Sequence, residues 1–81
     1  MVRVMLGGTL KNAAGGESEF EIDADTIQAL LRQLGERCPK LEPVLERGVA
    51  VSIDGQIYRG AWFQPVPPDS EVYILPRIGG G

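Results

Sequence analysis

The chain closes on "ILPRIGGG", which sets three glycines, Gly79, Gly80 and Gly81, directly after an apolar run that ends in proline. Glycine has no Cβ, so its backbone can pass through a channel and lie against a partner's backbone or a nucleotide where any side chain would collide. A carboxylate on Gly81 is therefore a threadable acid. Residues 77–81 extend at most about 17 Å, enough to carry that acid off a domain surface into the active site of another protein. There it can attack the α-phosphate of ATP to give an acyl-adenylate, a mixed anhydride from which AMP departs easily. Replacing AMP by sulfide gives a thiocarboxylate, whose ionised, polarisable sulfur is a good donor for the reason that a thiolate is a good nucleophile. Replacing AMP by a lysine amine gives a protein conjugate instead. The tail by itself leaves both outcomes open.

The other reactive side chains are expected to be structural. Cys38 continues an apolar stripe of Ile27, Leu30, Leu31 and Leu34, and a free cysteine behaves as a small buried hydrophobe. The chain has no histidine, which removes Ser-His and Cys-His catalysis and the commonest metal ligand, so no metal site is expected. Glu17, Glu19, Glu21, Asp23 and Asp25 alternate along one stretch. Along a strand such charges stand about 6.6–6.8 Å apart, a solvated face that discourages edge aggregation rather than a catalytic carboxylate pair. Arg3 can neutralise part of that row. Trp62 and Phe63 are either core anchors or an exposed docking patch.

The chain's 81 residues allow one domain, and its 43% hydrophobic and 23% charged composition is that of a globular fold. A net charge of −3 with no basic patch argues against nucleic-acid binding. No apolar run approaches the roughly 20 residues that span a bilayer, and the N-terminus lacks a signal-peptide pattern, so a cytoplasmic protein without a membrane partner is expected. One cysteine implies no internal disulfide.

These groups need a scaffold. Residues 2–6 predict a first strand with Val2, Val4 and Leu6 on one face and Arg3 and Met5 on the other, broken by Gly7-Gly8. "ESEFEIDAD" predicts a second, half-buried strand, joined to the first as a long-looped hairpin with Gly15-Gly16 in the connection. Asp25 fits a helix N-cap with Gln28 as its capping-box partner, and Pro39 should end that helix near Arg37. Residues 40–46 suggest a short turn or irregular segment whose Leu41, Val44 and Leu45 plug the core. Asp54-Gly55 marks a two-residue turn between strands at residues 49–53 and 56–59. A last strand over residues 71–75 stops at Pro76, which has no N–H to donate. The order, strand, strand, helix, strand, strand, strand, predicts an α+β fold of the ubiquitin-like β-grasp kind, a mixed sheet packed on one main helix. Residues 1–76 are expected to form the domain and residues 77–81 a flexible C-terminal reactive tail.

With that element order, the helix "TIQALLRQLGERCPKL", the hairpin "VSIDGQIYRG" and the ending "PPDSEVYILPRIGGG", the chain resembles the ThiS/MoaD family of ubiquitin-like sulfur carriers over nearly its whole length. The resemblance implies a carrier rather than an enzyme, with Gly81 as the reacting residue and Gly80 as its required neighbour. The implied partner is an E1-like adenylyltransferase that supplies the ATP and magnesium, so no cofactor is bound by the carrier beyond its own thiocarboxylate. The family's docking surface, the open sheet face and the base of the tail, maps onto Leu75, Arg77, Ile78 and Gly79. Length and the "ILP" strand ending are more similar to the molybdopterin synthase branch than to the shorter thiamine carriers, which implies a molybdopterin synthase large subunit as second partner and molybdenum cofactor biosynthesis as the pathway. Two features depart from that branch: Arg77 stands where a second proline is common, and the third glycine, Gly79, is shared with some thiamine-type carriers. A protein modifier and an unreactive β-grasp interaction module are the alternatives.

Overall fold

A computed structural model of the chain describes residues 1–76. β1, Val2–Leu6, buries Val2, Val4 and Leu6 on one face, as its alternation requires. It pairs antiparallel with β2, Glu19–Ile22, in a register that sets Val4 opposite Phe20 and Arg3 opposite Glu21. The connection between them is not an open loop: Leu10–Ala13 closes one helical turn, α1, whose Leu10 is 1% exposed. With a single apolar residue aimed inward and glycine doublets on both sides, α1 is too short to show a period.

The main helix, α2, is Ile27–Arg37. It lays Ile27, Leu30, Leu31 and Leu34 over the sheet, and Cys38, just beyond it, is buried with its Sγ 3.9 Å from the Ala14 carbonyl oxygen, the structural role expected of it. Its N-cap is Thr26, not Asp25: the Thr26 hydroxyl accepts a 3.2 Å hydrogen bond from the Ala29 N–H. Asp25 instead uses its backbone, its carbonyl accepting from the Val66 N–H at 2.8 Å. Both residue types cap well, and the strand-like alternation of acids drew the expected boundary one residue too early.

Residues 40–46 are not irregular. Pro39–Leu41 forms a 3-10 turn that buries Leu41 completely, and Glu42–Arg47 is a further helix, α3. Pro43 falls in its first turn, where the missing N–H has no intrahelical partner to lose. Val44 and Leu45 pack half-buried against the core, in the plugging role expected of them.

β3, Val49–Ile53, and β4, Gln56–Arg59, form the second hairpin. Asp54 and Gly55 both have positive φ, 47° and 91°, the backbone that makes Asp-Gly the favoured two-residue turn. The Asp54 carboxylate also accepts a 2.9 Å bond from the Glu71 N–H, tying this turn to the start of β5.

β5 is Glu71–Pro76, one residue longer than expected, because Pro76 keeps a place opposite Val49 at the strand end although it cannot donate there. It lies in the middle of a mixed five-stranded sheet, order β2-β1-β5-β3-β4, parallel to β1 and antiparallel to β3. One main helix across one face of a sheet with a parallel central pair is the ubiquitin-like β-grasp. Among the described residues no helix is long and apolar enough to cross a membrane.

Candidate functional site

β5 is the last described element and precedes the glycine end in sequence, so the site is built from its C-terminal half. Directly paired residues share a sheet face. Register therefore puts Met5, Tyr73, Ser52 and Ile57 in one row, and Leu75, Ala50 and Arg59 in the next, on the face turned away from α2. Tyr73 and Ile57 are exposed, Met5 and Leu75 half-buried, and the small Ala50 and Ser52 lie buried between their larger neighbours. The result is an apolar band on the open face that ends at Leu75, next to Pro76, the last described residue of β5. Acids border it: Glu19 continues the Met5 row, and Glu21 and Glu71 flank Arg3.

The end of β5 rests on two glycines. The Gly7 N–H donates to the Ile74 carbonyl at 2.9 Å. A Cβ on Gly7 would stand 2.6 Å from the Leu75 Cδ2, and one on Gly8, at φ +60°, would stand 3.2 Å from the Pro76 Cγ. The doublet that reads in sequence as a strand breaker is thus also the seat of Leu75 and Pro76, and its lack of side chains is what lets β5 run so close. Of the expected site residues, Leu75 occupies this seat. Arg77, Ile78, Gly79, Gly80 and Gly81 lie outside the described residues.

Met5, Ile57 and Tyr73 were not expected in the site. Their signal was present: each is a large apolar or aromatic residue on the strand face that alternation assigns to solvent. The acidic row behaves as a solvated face, with Glu17, Glu19, Glu21, Asp23 and Asp25 all exposed. Among the described residues no group of three or more His, Cys, Asp or Glu is placed to hold a metal ion.

The aromatic pair sits elsewhere, beside α2. The carbonyls of Gln64 and Trp62 accept from the Ile27 and Gln28 N–H groups at 3.1 and 2.9 Å, so this loop caps two of the helix's orphan amides. That duty holds the backbone of the loop while leaving the side chains outside: Trp62 is 49% and Phe63 79% exposed. The core-anchor alternative therefore does not hold, and both aromatic side chains lie on the surface.

The sequence matches the ThiS family over residues 4–81. The chain belongs to the ThiS family. Its small β-grasp carriers and modifiers bear the architecture found here, and the match extends through the glycine end. No curated protein matches the sequence. Among solved structures, small archaeal modifier protein 1 of Methanosarcina acetivorans is similar at 24% identity and a TM-score of 0.81, over 99% of this chain and 95% of that one. A chain of the Amycolatopsis orientalis BexX/CysO complex is similar at 22% identity and a TM-score of 0.76, over 100% of both. A chain of the complex between subunits 1 and 2 of molybdopterin-converting factor from Helicobacter pylori is similar at 22% identity and a TM-score of 0.69, over 99% of this chain and 97% of that one. At these identities the likeness is one of fold.

Proposed function

We propose that this ThiS-family chain is a sulfur carrier: a partner adenylates the Gly81 carboxylate, sulfur replaces AMP, and the resulting thiocarboxylate gives up its sulfur on a second enzyme. The observation that carries this reading is the exit of β5, where an apolar open face, the glycine seat at Gly7-Gly8 and a family match running through residue 81 converge on one end of the sheet. In the first step a carboxylate oxygen attacks the α-phosphorus of ATP and pyrophosphate leaves. In the second a sulfur nucleophile attacks the acyl carbon and AMP leaves. ATP, magnesium and the catalytic groups belong to an E1-like adenylyltransferase, and this chain contributes the acid and the surface that aims it.

On that surface Leu75 and the exposed band around Tyr73 hold the domain against the partner, Arg77 and Ile78 orient the base of the tail, and Gly79 and Gly80 pass where side chains would collide. The chain is not an enzyme alone. We assign the sulfur to molybdopterin synthesis, with a large synthase subunit as second partner, on the "ILP" strand ending and the likeness to the molybdopterin-converting factor complex. A second reading, a modifier that forms isopeptide bonds through Gly81, is favoured by the likeness to small archaeal modifier protein 1.

Gly80→Val tests the channel argument. The variant should keep the wild-type circular dichroism spectrum and unfolding midpoint while losing adenylation by the cognate activating enzyme. Normal adenylation of that variant would refute threading. Conjugate ladders in lysate that vanish when Gly81 is deleted would shift the assignment from sulfur carriage to protein modification.

A further inference from the structure

We propose that the groove between α2 and α3, walled by Trp62, docks a basic amphipathic helix of a partner protein, independently of the open sheet face. The groove has a volume of about 430 Å³. That lies toward the small end of ligand pockets, about 300–1,000 Å³, and suits a few anchoring side chains rather than a folded domain. Leu31, Gly35 and Leu45 line it between the two helices. Gly35 draws the helices together there: a Cβ on it would stand 3.1 Å from the Glu42 Cγ and 3.6 Å from the Leu45 Cδ1. An apolar strip between two helical walls receives the i, i+3, i+4 face of a third helix.

Charge decides the kind of helix. Glu36, Glu42 and Glu46 border the strip against one guanidinium, Arg32, in a chain whose net charge is −3. An acidic helix would be repelled, whereas lysines and arginines flanking an apolar anchor would be attracted and steered in. Trp62 supplies the anchor point on this side: its backbone carbonyl is committed to the Gln28 N–H, while its indole stays 49% exposed on the groove wall. Tryptophan is one of the residue types enriched among those that carry binding energy at protein interfaces. The groove lies on the helix side of the sheet and the apolar band on the other, so a protein held here leaves the open face of the sheet uncovered. This surface stands whether or not the sulfur-carrier reading does.

Trp62 is the chain's single tryptophan, so its emission reports the groove directly. The probe is a synthetic peptide of about four helical turns with leucine at the i, i+3, i+4 and i+7 positions and lysine elsewhere, beside a counterpart with glutamate in place of lysine. Titrating the lysine peptide into the whole protein should shift Trp62 emission to the blue with saturation, and should move backbone amide NMR signals of α2 and α3 rather than those of β5. The Glu36→Gln, Glu42→Gln, Glu46→Gln triple variant, whose sites are exposed, should keep the parent's circular dichroism spectrum and bind roughly tenfold more weakly. The proposal is overturned if neither peptide binds saturably, if both bind alike, if the triple variant binds as tightly as the parent, or if the shifted amides lie on the open face. Emission that changes with protein concentration alone would overturn it too, by assigning the groove to a second copy.

Discussion

At the scale of single residues, two glycines seat the last described residues of β5, Leu75 and Pro76. Gly7→Ala places a methyl 2.6 Å from Leu75 Cδ2, too close for both, and Leu75 must turn away. Urea denaturation should register a loss of about 1–2 kcal/mol, the usual cost of an added methyl in a tight contact. Because Leu75 is displaced, adenylation by the activating partner should also slow, by more than the stability loss accounts for. An unchanged midpoint would mean that Leu75 is not seated on Gly7. None of this was legible in sequence, where Gly7-Gly8 looked like punctuation: a glycine doublet announces a turn, but the contact across to β5 comes from the parallel pairing of two strands at opposite ends of the chain. Leu75, by contrast, came to notice through the family resemblance, and the structure places it half-buried at the end of the apolar band. Cys38 was also legible, since the apolar stripe it continues and the absence of histidine both argued for burial over chemistry.

Among the elements, α2 is where local signals and tertiary structure compete. Thr26 caps it through its hydroxyl while Asp25 does not. Thr26→Ala should therefore cost about 1 kcal/mol and Asp25→Ala less than about 0.5 kcal/mol in thermal or urea unfolding. The reverse order would restore Asp25 as the cap. The far side of the same helix guards an edge of the sheet: Arg37 donates to the Glu21 carbonyl at 2.8 Å and Gln33 to the Asp23 carbonyl at 2.7 Å. Edge carbonyls left open are templates for another strand, and the acidic side chains of β2 repel such a strand only while salt does not screen them. Arg37→Ala with Gln33→Ala should self-associate faster than the parent in 1 M salt, followed by light scattering, and equal rates would assign edge protection to the acids alone. Element type was easiest to read where turn chemistry was explicit, as at Asp54-Gly55. It failed at α1, one turn with a single inward leucine, and at α3, expected as a turn or irregular segment, whose Pro43 occupies the first turn, where a helix tolerates it.

The whole molecule presents two surfaces on opposite sides of one sheet. The open face gathers Met5, Ile57, Tyr73 and Leu75 from three strands, and only the sheet order brings them together, so their sequence signal was four unrelated outward apolar residues. The helix face carries the groove beside Trp62. A carrier needs this division, because it must be held while its end is charged and released while its end reacts. The measurement that bears most directly on the carrier role is the intact mass of the protein after incubation with the host's adenylating enzyme, ATP and a sulfur source. Exchange of one oxygen for sulfur, localised to Gly81 by fragmentation, is the result predicted. An unmodified mass, under conditions that charge a control carrier, would contradict it.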